Sequence, residues 1–474
     1  MKQDRAAEDG SNARFKSSCS RWRLGSFLLV LHLLVVEAHG NIVQVDEPLT
    51  RISFGSCANQ SAPQPIWDAV LEFDPNLFIH LGDNIYADIK DPNKYFGKER
   101  NVGPFKKTPR FWSISPEALK IKYDLLKHGQ PSYVALRKKT QIIGTWDDHD
   151  YGLNDAGKEY EGKDASQQVM LDFLDEAPDS PRRKQQGVYA AYTYGPAGKK
   201  VKVILLDTRY HRDPIHSDGT MLGEIQWRWF ENELRNSDAQ IHIIGSSIQV
   251  VSNFSAMSQP FFSVESWGMF PSERSRLYAV LRDTNASGVI FISGDVHFGE
   301  ITRFDCGLTY PVYDITSSGL TEAVEDKAKG FPWSIILTYC SWLLPETMRV
   351  HNSRCAVKPC IYGHVNFGTF EINWEAKPVT INVNVRDIHG TPVLGETLCL
   401  PDLQPGYFKS KTVRGSHVQR HCTLEYDLPW YRKYILAFNF FAAVTVFVGA
   451  LVTLLVLGVV RLMRPSKSPT LKED

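Results

Sequence analysis

The 474-residue chain carries 53 Lys and Arg against 53 Asp and Glu, a formal net charge of +0, with 43% hydrophobic and 22% charged residues. These fractions are those of a globular protein and exclude global disorder. Charge balance also excludes a general attraction to nucleic acid or to an anionic surface, so no nucleic-acid-binding surface is indicated and any anion recognition is local.

In chain order, the first feature is the apolar run Leu24–Val36, preceded by Arg14, Lys16, Arg21 and Arg23 and followed by Ala38 and Gly40. It is short for a bilayer, which takes about 20 residues. It reads as a secretory signal over residues 1–40, an uncleaved signal anchor being the alternative. From Thr50 onward, β-branched runs predict buried strands at Arg51–Phe54, Leu77–Leu81, Gln141–Trp146, Val201–Leu206, Ile241–Ile244 and Val289–Ser293. Helical patterns fall between them at Pro65–Phe73, Pro116–Leu126, Gly223–Asn236 and Ser272–Thr284, so residues 41–385 read as one layered α/β domain. Thr369–Trp374 and Val379–Val385 alternate apolar and polar residues and predict an edge hairpin. The apolar stretch Phe331–Leu344 reads as a core helix or buried insertion, with contact to a membrane surface as the alternative. Residues 386–433 hold Cys399 and Cys422 and are expected to form a disulfide-stabilised juxtamembrane region.

Tyr434–Val460 contains no charge and predicts a transmembrane helix, long enough to cross about 30 Å of hydrocarbon. Arg461, Arg464, Lys467 and Lys472, against Arg432 and Lys433 on the other flank, favour a cytosolic tail over 461–474. The expectation is a single-pass type I membrane protein of the secretory pathway or cell surface, its large domain lumenal or extracellular. Of eight cysteines, Cys19 lies in the signal, and the odd remainder implies one thiol with another role. Asn59, Asn253 and Asn285 begin N-x-S triplets, weak glycosylation signals that suit export.

Three acidic motifs follow predicted strands, where loops at the carboxyl edge of an α/β sheet gather ligands. In Gly82-Asp83-Asn84-Ile85-Tyr86 the glycine permits a tight turn and Asp83 emerges at the strand tip, able to bridge two cations. Tyr86, three residues on, is expected on the same side of a helical turn, offering a phenolate to a hard ferric ion. A lone strand-end aspartate serves as often as a helix cap. In Trp146-Asp147-Asp148-His149-Asp150, followed by Asn154, three carboxylates within four residues repel one another unless a cation sits among them. In Gly294-Asp295-Val296-His297, an extended backbone would point Asp295 and His297 the same way. Together these residues point to phosphoester chemistry. Two adjacent metals bind phosphoryl oxygens, lower the pKa of a bound water and hold the resulting hydroxide in line with the leaving group. His149 is the candidate general acid. Arg209, after the strand ending at Leu206, is a candidate two-pronged grip on phosphate. No Gly-rich phosphate loop, His-Glu-x-x-His or Gly-x-Ser-x-Gly is present.

The ordered motifs Phe54-Gly55-Ser56-Cys57, Gly82 to Tyr86, Trp146 to Asp150 with Asn154, Leu206 to Arg209, Gly294 to His297 and Asn366-Phe367-Gly368 resemble the alkaline phosphatase D (PhoD-like) family of calcineurin-like metallophosphoesterases, over about residues 48–385. The resemblance implies a layered β-sandwich flanked by helices, to which this chain adds a C-terminal transmembrane helix. It further implies that Cys57, Asp83 and Tyr86 hold ferric iron. Asp147, Asp148, Asn154, Asp295 and His297 would supply the remaining ligands for calcium or another divalent metal. If Cys57 binds iron, the other six cysteines are left to pair. The implied activity is that of a phosphatase or phosphodiesterase acting outside the cytosol on a phosphoester substrate. A catalytically silent receptor or adhesion ectodomain on the same scaffold is the alternative, and it predicts missing ligands where none is missing. A purple acid phosphatase-like enzyme would carry Gly-Asn-His and Gly-His-x-His blocks, which the chain replaces. The aromatic segment 320–362, with Cys340, Cys355 and Cys360, departs from the family pattern.

Overall fold

The computed structural model describes residues 46–89, 111–215, 217, 219–252, 264–327, 335, 339, 349–350, 355, 360–413, 420–424 and 427–463. The signal segment, Asn253, Cys340, most of 331–344 and the tail beyond Met463 lie outside them. The strands, in chain order, are β1 (Arg51–Gly55), β2 (Leu77–Leu81), β3 (Gln141–Thr145), β4 (Ala190–Tyr194), β5 (Val201–Leu205), β6 (Ile241–Gly245), β7 (Val289–Ser293), β8 (Gly299–Phe304), β9 (Val312–Ser317), β10 (Ile361–Tyr362), β11 (Asn366–Asn373), β12 (Thr380–Asp387) and β13 (Pro392–Cys399). They form two sheets, of order β13-β12-β11-β1-β2-β3 and β10-β8-β9-β7-β6-β5-β4.

Side-chain alternation builds the layers. In β2, Leu77, Ile79 and Leu81 join a core shared with Val203, Ile204, Ile243, Ile290 and Ile292 of the other sheet. Phe78 points the other way, into a second core with Trp67, Leu119, Tyr133 and Phe173 from the helices α1 (Ile66–Phe73), α2 (Pro116–Gly129), α3 (Pro131–Lys139) and, beyond the short α4 (Asp148–Tyr151), α5 (Lys163–Phe173). On the far side α6 (Gly223–Arg235) and α7 (Pro271–Asp283) bury Trp227, Phe230, Leu277 and Leu281. The layers run helix, sheet, sheet, helix, as a β-sandwich flanked by helices. Helix α2 starts where Ser115 accepts a hydrogen bond from the Ala118 N–H at 3.3 Å and Pro116 takes the first turn, where a missing N–H costs nothing.

Polarity of the strands positions everything else. β1, β2 and β3 are mutually parallel, as are β5, β6, β7 and β9. Their carboxyl ends share one rim, and a bridge between Ser56 and Ser318 ties the two sheets there. Every predicted strand forms, β2 and β7 with the expected limits.

Three expectations are corrected. The β11–β12 hairpin is interior: β11 pairs with β1, and β13 forms the edge. The sheet therefore runs through to Cys399, beyond the boundary expected at residue 385, because β12 and β13 need each other's backbone partners. Nor do all six cysteines besides Cys57 pair: Cys422 joins Cys306, Cys355 joins Cys360, and Cys399 is a free thiol alongside Cys57. The helix Ile435–Met463 covers the predicted span and is long and apolar enough to cross a membrane.

His80, on the helix-facing side of β2, is fully buried, its Nε2 2.8 Å from the Tyr133 hydroxyl and its ring 4.9 Å from Phe78. Burial, with a lesser contribution from Arg137, depresses its pKa from 6.5 to about 3. The unfolded chain thus binds the extra proton between those values. The stability provided by neutral His80 is complete above the unfolded pKa and drains away as pH falls toward the folded one, by an amount on the order of a few kcal/mol. We expect His80→Gln to flatten the acid side of the stability curve relative to wild type, measured by urea denaturation of metal-free protein between pH 7 and pH 4. Parallel curves would reject this role.

Candidate metal centre

Each motif residue sits just past the carboxyl end of a parallel strand. Cys57 follows β1, Asp83 follows β2, Asp147 to His149 follow β3, Arg209 follows β5, Ser247 follows β6, and Asp295 and His297 follow β7. The chain must turn sharply at these points, and four of these residues adopt left-handed backbone: Cys57 (φ 63°), Asp83 (47°), Asp295 (71°) and His297 (62°). Such non-glycine conformations cost on the order of 1–3 kcal/mol each and cluster at functional sites. Gly82, at φ 100°, is required on two grounds, since a Cβ there would lie 2.6 Å from that of Asp147.

Two groups of side chains offer ligand atoms within 4.8 Å of one another: Cys57, Asp83 and His297, and Asp83, Asp148 and His149. Asp83 belongs to both. Cys57 Sγ is 3.6 Å from Asp83 Oδ2 and 3.1 Å from Ser318 Oγ. The Tyr86 hydroxyl lies 2.8 Å from His297 Nε2. Tyr86 thus reaches the site, though on an irregular loop and not on the expected helical turn. Asp295 and His297 likewise arrive on a bent backbone where an extended one was expected.

Burial creates an electrostatic conflict. Burial, then the charges of Cys57 and Asp148, push the Asp83 carboxyl well above the usual carboxylate range. Burial and the nearby Asp147 and Asp148 do the same to Asp295, whose buried Oδ2 has no hydrogen-bond partner. Burial pushes the Cys57 thiol up to about 12 against hydrogen bonds with Ser318, Ser56 and Tyr86. Asp148 goes the other way: burial opposes its charge, but His149 and Arg209 outweigh burial and hold it below the usual range. Thiol, carboxylates and imidazole so confined are the donor set of a transition-metal site, and their mutual repulsion is what a cation would relieve.

The remaining predicted residues divide. Asp147 turns Oδ1 to Arg209 Nε at 2.5 Å and to the Ser247 hydroxyl at 2.8 Å, while its buried Oδ2 has no partner. Asn154 is half-buried, and its backbone N–H donates to Asp88 at 2.8 Å. Arg209 is fully buried and ion-paired with Asp147 and Glu265. Arg212 closes the same cluster on Glu265 at 2.9 Å.

Sequence reasoning missed two residues, Asp88 and Glu265, and gave Asp150 no role beyond its place among the three carboxylates. Asp88 holds His149 Nδ1 at 2.7 Å; burial opposes the imidazolium, but Asp148 and Asp88 raise its pKa to about 9. Asp150 is structural, accepting from Asn84 Nδ2 at 2.6 Å, the Asp147 N–H at 2.7 Å and Tyr123 at 3.1 Å. Of the two missed residues Asp88 had a signal, an acid two residues beyond Tyr86 in the same loop, and Glu265 had none.

A family model described as PhoD-like phosphatase matches residues 52–325. Alkaline phosphatase D of Bacillus subtilis (strain 168) is 27% identical over 252 residues, which is 47% of this chain and 41% of that relative's own length. A solved structure described as "Structure of PhoD" superposes with a TM-score of 0.51 at 18% identity, covering 75% of this chain and 69% of its own, a likeness of fold. The match spans more than half of the chain, takes in Cys57 through His297, and coincides with the calcineurin-like sandwich that brings those residues together. The chain belongs to the PhoD-like phosphatases, a family of metal-dependent phosphoester hydrolases.

Proposed function

We propose that the protein is a membrane-anchored, metal-dependent phosphatase or phosphodiesterase whose centre faces the lumen or the exterior. The observation that carries this reading is Asp83, one buried carboxylate common to two ligand groups, as a bridge between two cations requires. Ferric iron is proposed at Cys57, Asp83 and Tyr86 with His297 beside them, and calcium or another divalent ion at Asp83 and Asp148, with Asp295 and the second oxygen of Asp147 in support. Bound metals supply Lewis acidity toward the phosphoryl oxygens and toward the attacking water.

The chain's own residues handle the proton and the orientation. Asp88 fixes His149 through Nδ1 and favours its charged form, leaving Nε2 to deliver a proton to the departing oxygen. Asp88 is therefore a positioning residue. The Arg209–Asp147–Glu265 cluster balances charge behind the site. Membrane anchoring rests on Ile435–Met463, and the side of action on the basic bias of the tail together with the disulfides Cys306–Cys422 and Cys355–Cys360, which suit an oxidising compartment.

Two experiments test this reading. Asp83→Asn and Asp148→Asn should both abolish hydrolysis of p-nitrophenyl monoesters and diesters. Metal analysis should separate them: the first loses both metals, the second one, and the visible tyrosinate-to-iron band should vanish in Tyr86→Phe. Near-normal turnover in both aspartate variants would overturn the site. His149→Gln should cost roughly 10²–10⁴-fold in kcat on alkyl esters, whose leaving oxygen needs a proton, and far less on p-nitrophenyl esters, with metal content unchanged. Equal losses on both ester types together with lost metal would make His149 a ligand instead.

A further inference from the structure

Beside the metal centre lies a cavity of about 720 Å³ that none of the residues above explains, lined among others by Thr321, Asp326, Tyr362, His364, Asp387 and His389. Two strands of connection tie it to the centre. The Thr321 N–H donates to the Cys57 carbonyl at 3.0 Å, and the Thr321 hydroxyl accepts from the Asn59 N–H at 2.6 Å. Tyr362 pairs in register with Gly299, two residues beyond His297. One wall of the cavity therefore begins at the backbone of a candidate ligand, and another at the strand that follows the next.

The charge inside the cavity selects its occupant. Lys327 is neutralised by Glu322 at 2.8 Å, and His364 is shared between Glu325 at 3.1 Å and Asp326 at 3.2 Å. Asp387 accepts the backbone N–H groups of His389 at 2.9 Å and Thr391 at 2.8 Å, and among the described residues no cation pairs with it. Carboxylates are in excess, which disfavours a second phosphate. Tyr362 is half-buried on the wall, its ring 5.5 Å from that of His364; burial, then Asp387, Asp326 and Glu325, push its hydroxyl up to about 12. An aromatic face amid carboxylates is the chemistry that recognises an alkylammonium group, by cation–π attraction and opposite charge together.

We propose that this cavity receives an ammonium-bearing alcohol, the amino-alcohol end of a phosphoester whose phosphate lies at the metal centre. The role in selectivity rests on the phosphoesterase reading; the binding of the cation does not.

The test uses the full chain and two probes. Choline alone, titrated calorimetrically, should bind wild type saturably and bind Tyr362→Leu and Asp387→Asn about tenfold more weakly. Asp387→Asn keeps the acceptor for the turn and removes only the charge, and thermal melting confirms that each variant is folded. The ratio of kcat/KM for phosphocholine to that for glycerol 1-phosphate, with glycerophosphocholine and its bis-glycerol counterpart as the diester pair, should fall by a similar factor in both variants. Absence of saturable choline binding to wild type, or an unchanged ratio in folded variants of an active enzyme, overturns the proposal. Choline binding without turnover of any ester would leave the cavity assigned and remove the phosphoesterase reading instead.

Discussion

The structure is organised around a set of buried carboxylates that outnumber the cations beside them. Buried Asp83, Asp147, Asp148 and Asp150 and half-buried Asp295 converge where the parallel strands of two sheets end. The protein resolves part of the conflict internally. Asp150 is satisfied by backbone and side-chain donors from Asp147, Asn84 and Tyr123, and Asp147 by Arg209. Burial still raises Asp147 and Asp150 to about 7, and it drives the Asp83 and Asp295 carboxyls far above their ordinary range. Protonation settles these groups in the metal-free chain, and a bound cation would take the place of those protons. The strained turns at Cys57, Asp83, Asp295 and His297 persist because the strands behind them are fully buried and paired, so the sheets dictate where the ligands go.

Much of this was legible because the relevant signals are local. A buried parallel strand reads as an uninterrupted apolar run, and β2 and β7 announce their limits by an abrupt change to Gly-Asp. Position in the sheet is not local. Nothing within Thr380–Asp387 says that Pro392–Cys399 will cover it, so an interior hairpin read as an edge. The same holds for partners: Arg209 looked like a phosphate grip because Glu265, which shares it with Asp147, lies fifty-six residues away in sequence. Cysteine arithmetic implied one thiol with a separate role, whereas the structure leaves two free, Cys57 and Cys399. It could not reveal that Cys422 reaches back to Cys306, a pairing made possible because the Asp305 and His421 backbones and the Asp305 carboxylate hold those segments side by side.

That pairing bears on how the proposed anchor works. Twelve residues lie between Cys422 and Ile435, four of them in the short helix Trp430–Lys433, and Leu424 and Leu428 among them are buried. Little free chain remains between the globular body and the apolar helix. On the proposed topology the disulfide shortens the effective linker, with Trp430, Tyr431 and Tyr434 exposed at the helix entrance, where amphipathic rings favour a membrane interface. An enzyme tethered so closely samples a narrow range of heights above the bilayer, which limits the substrates that can reach it to those in solution nearby or at the surface.

The arginine cluster also explains why metal should be indispensable and not merely helpful. In many phosphate sites an arginine meets the substrate's charge directly. Here Arg209 is buried between Asp147 and Glu265 with Arg212 on Glu265, and the field of Arg209 favours the charged forms of Asp147, Asp148 and Asp295. A dianionic phosphoester approaching the metal-free site would meet Asp148 held as a carboxylate, Asp83 and Asp295 pushed toward their neutral forms, and His149 as the nearest facing cation, itself engaged with Asp88. His149 and Arg209 keep Asp148 ionised, and on the proposed reading the task of binding phosphate falls to whatever the ligands hold.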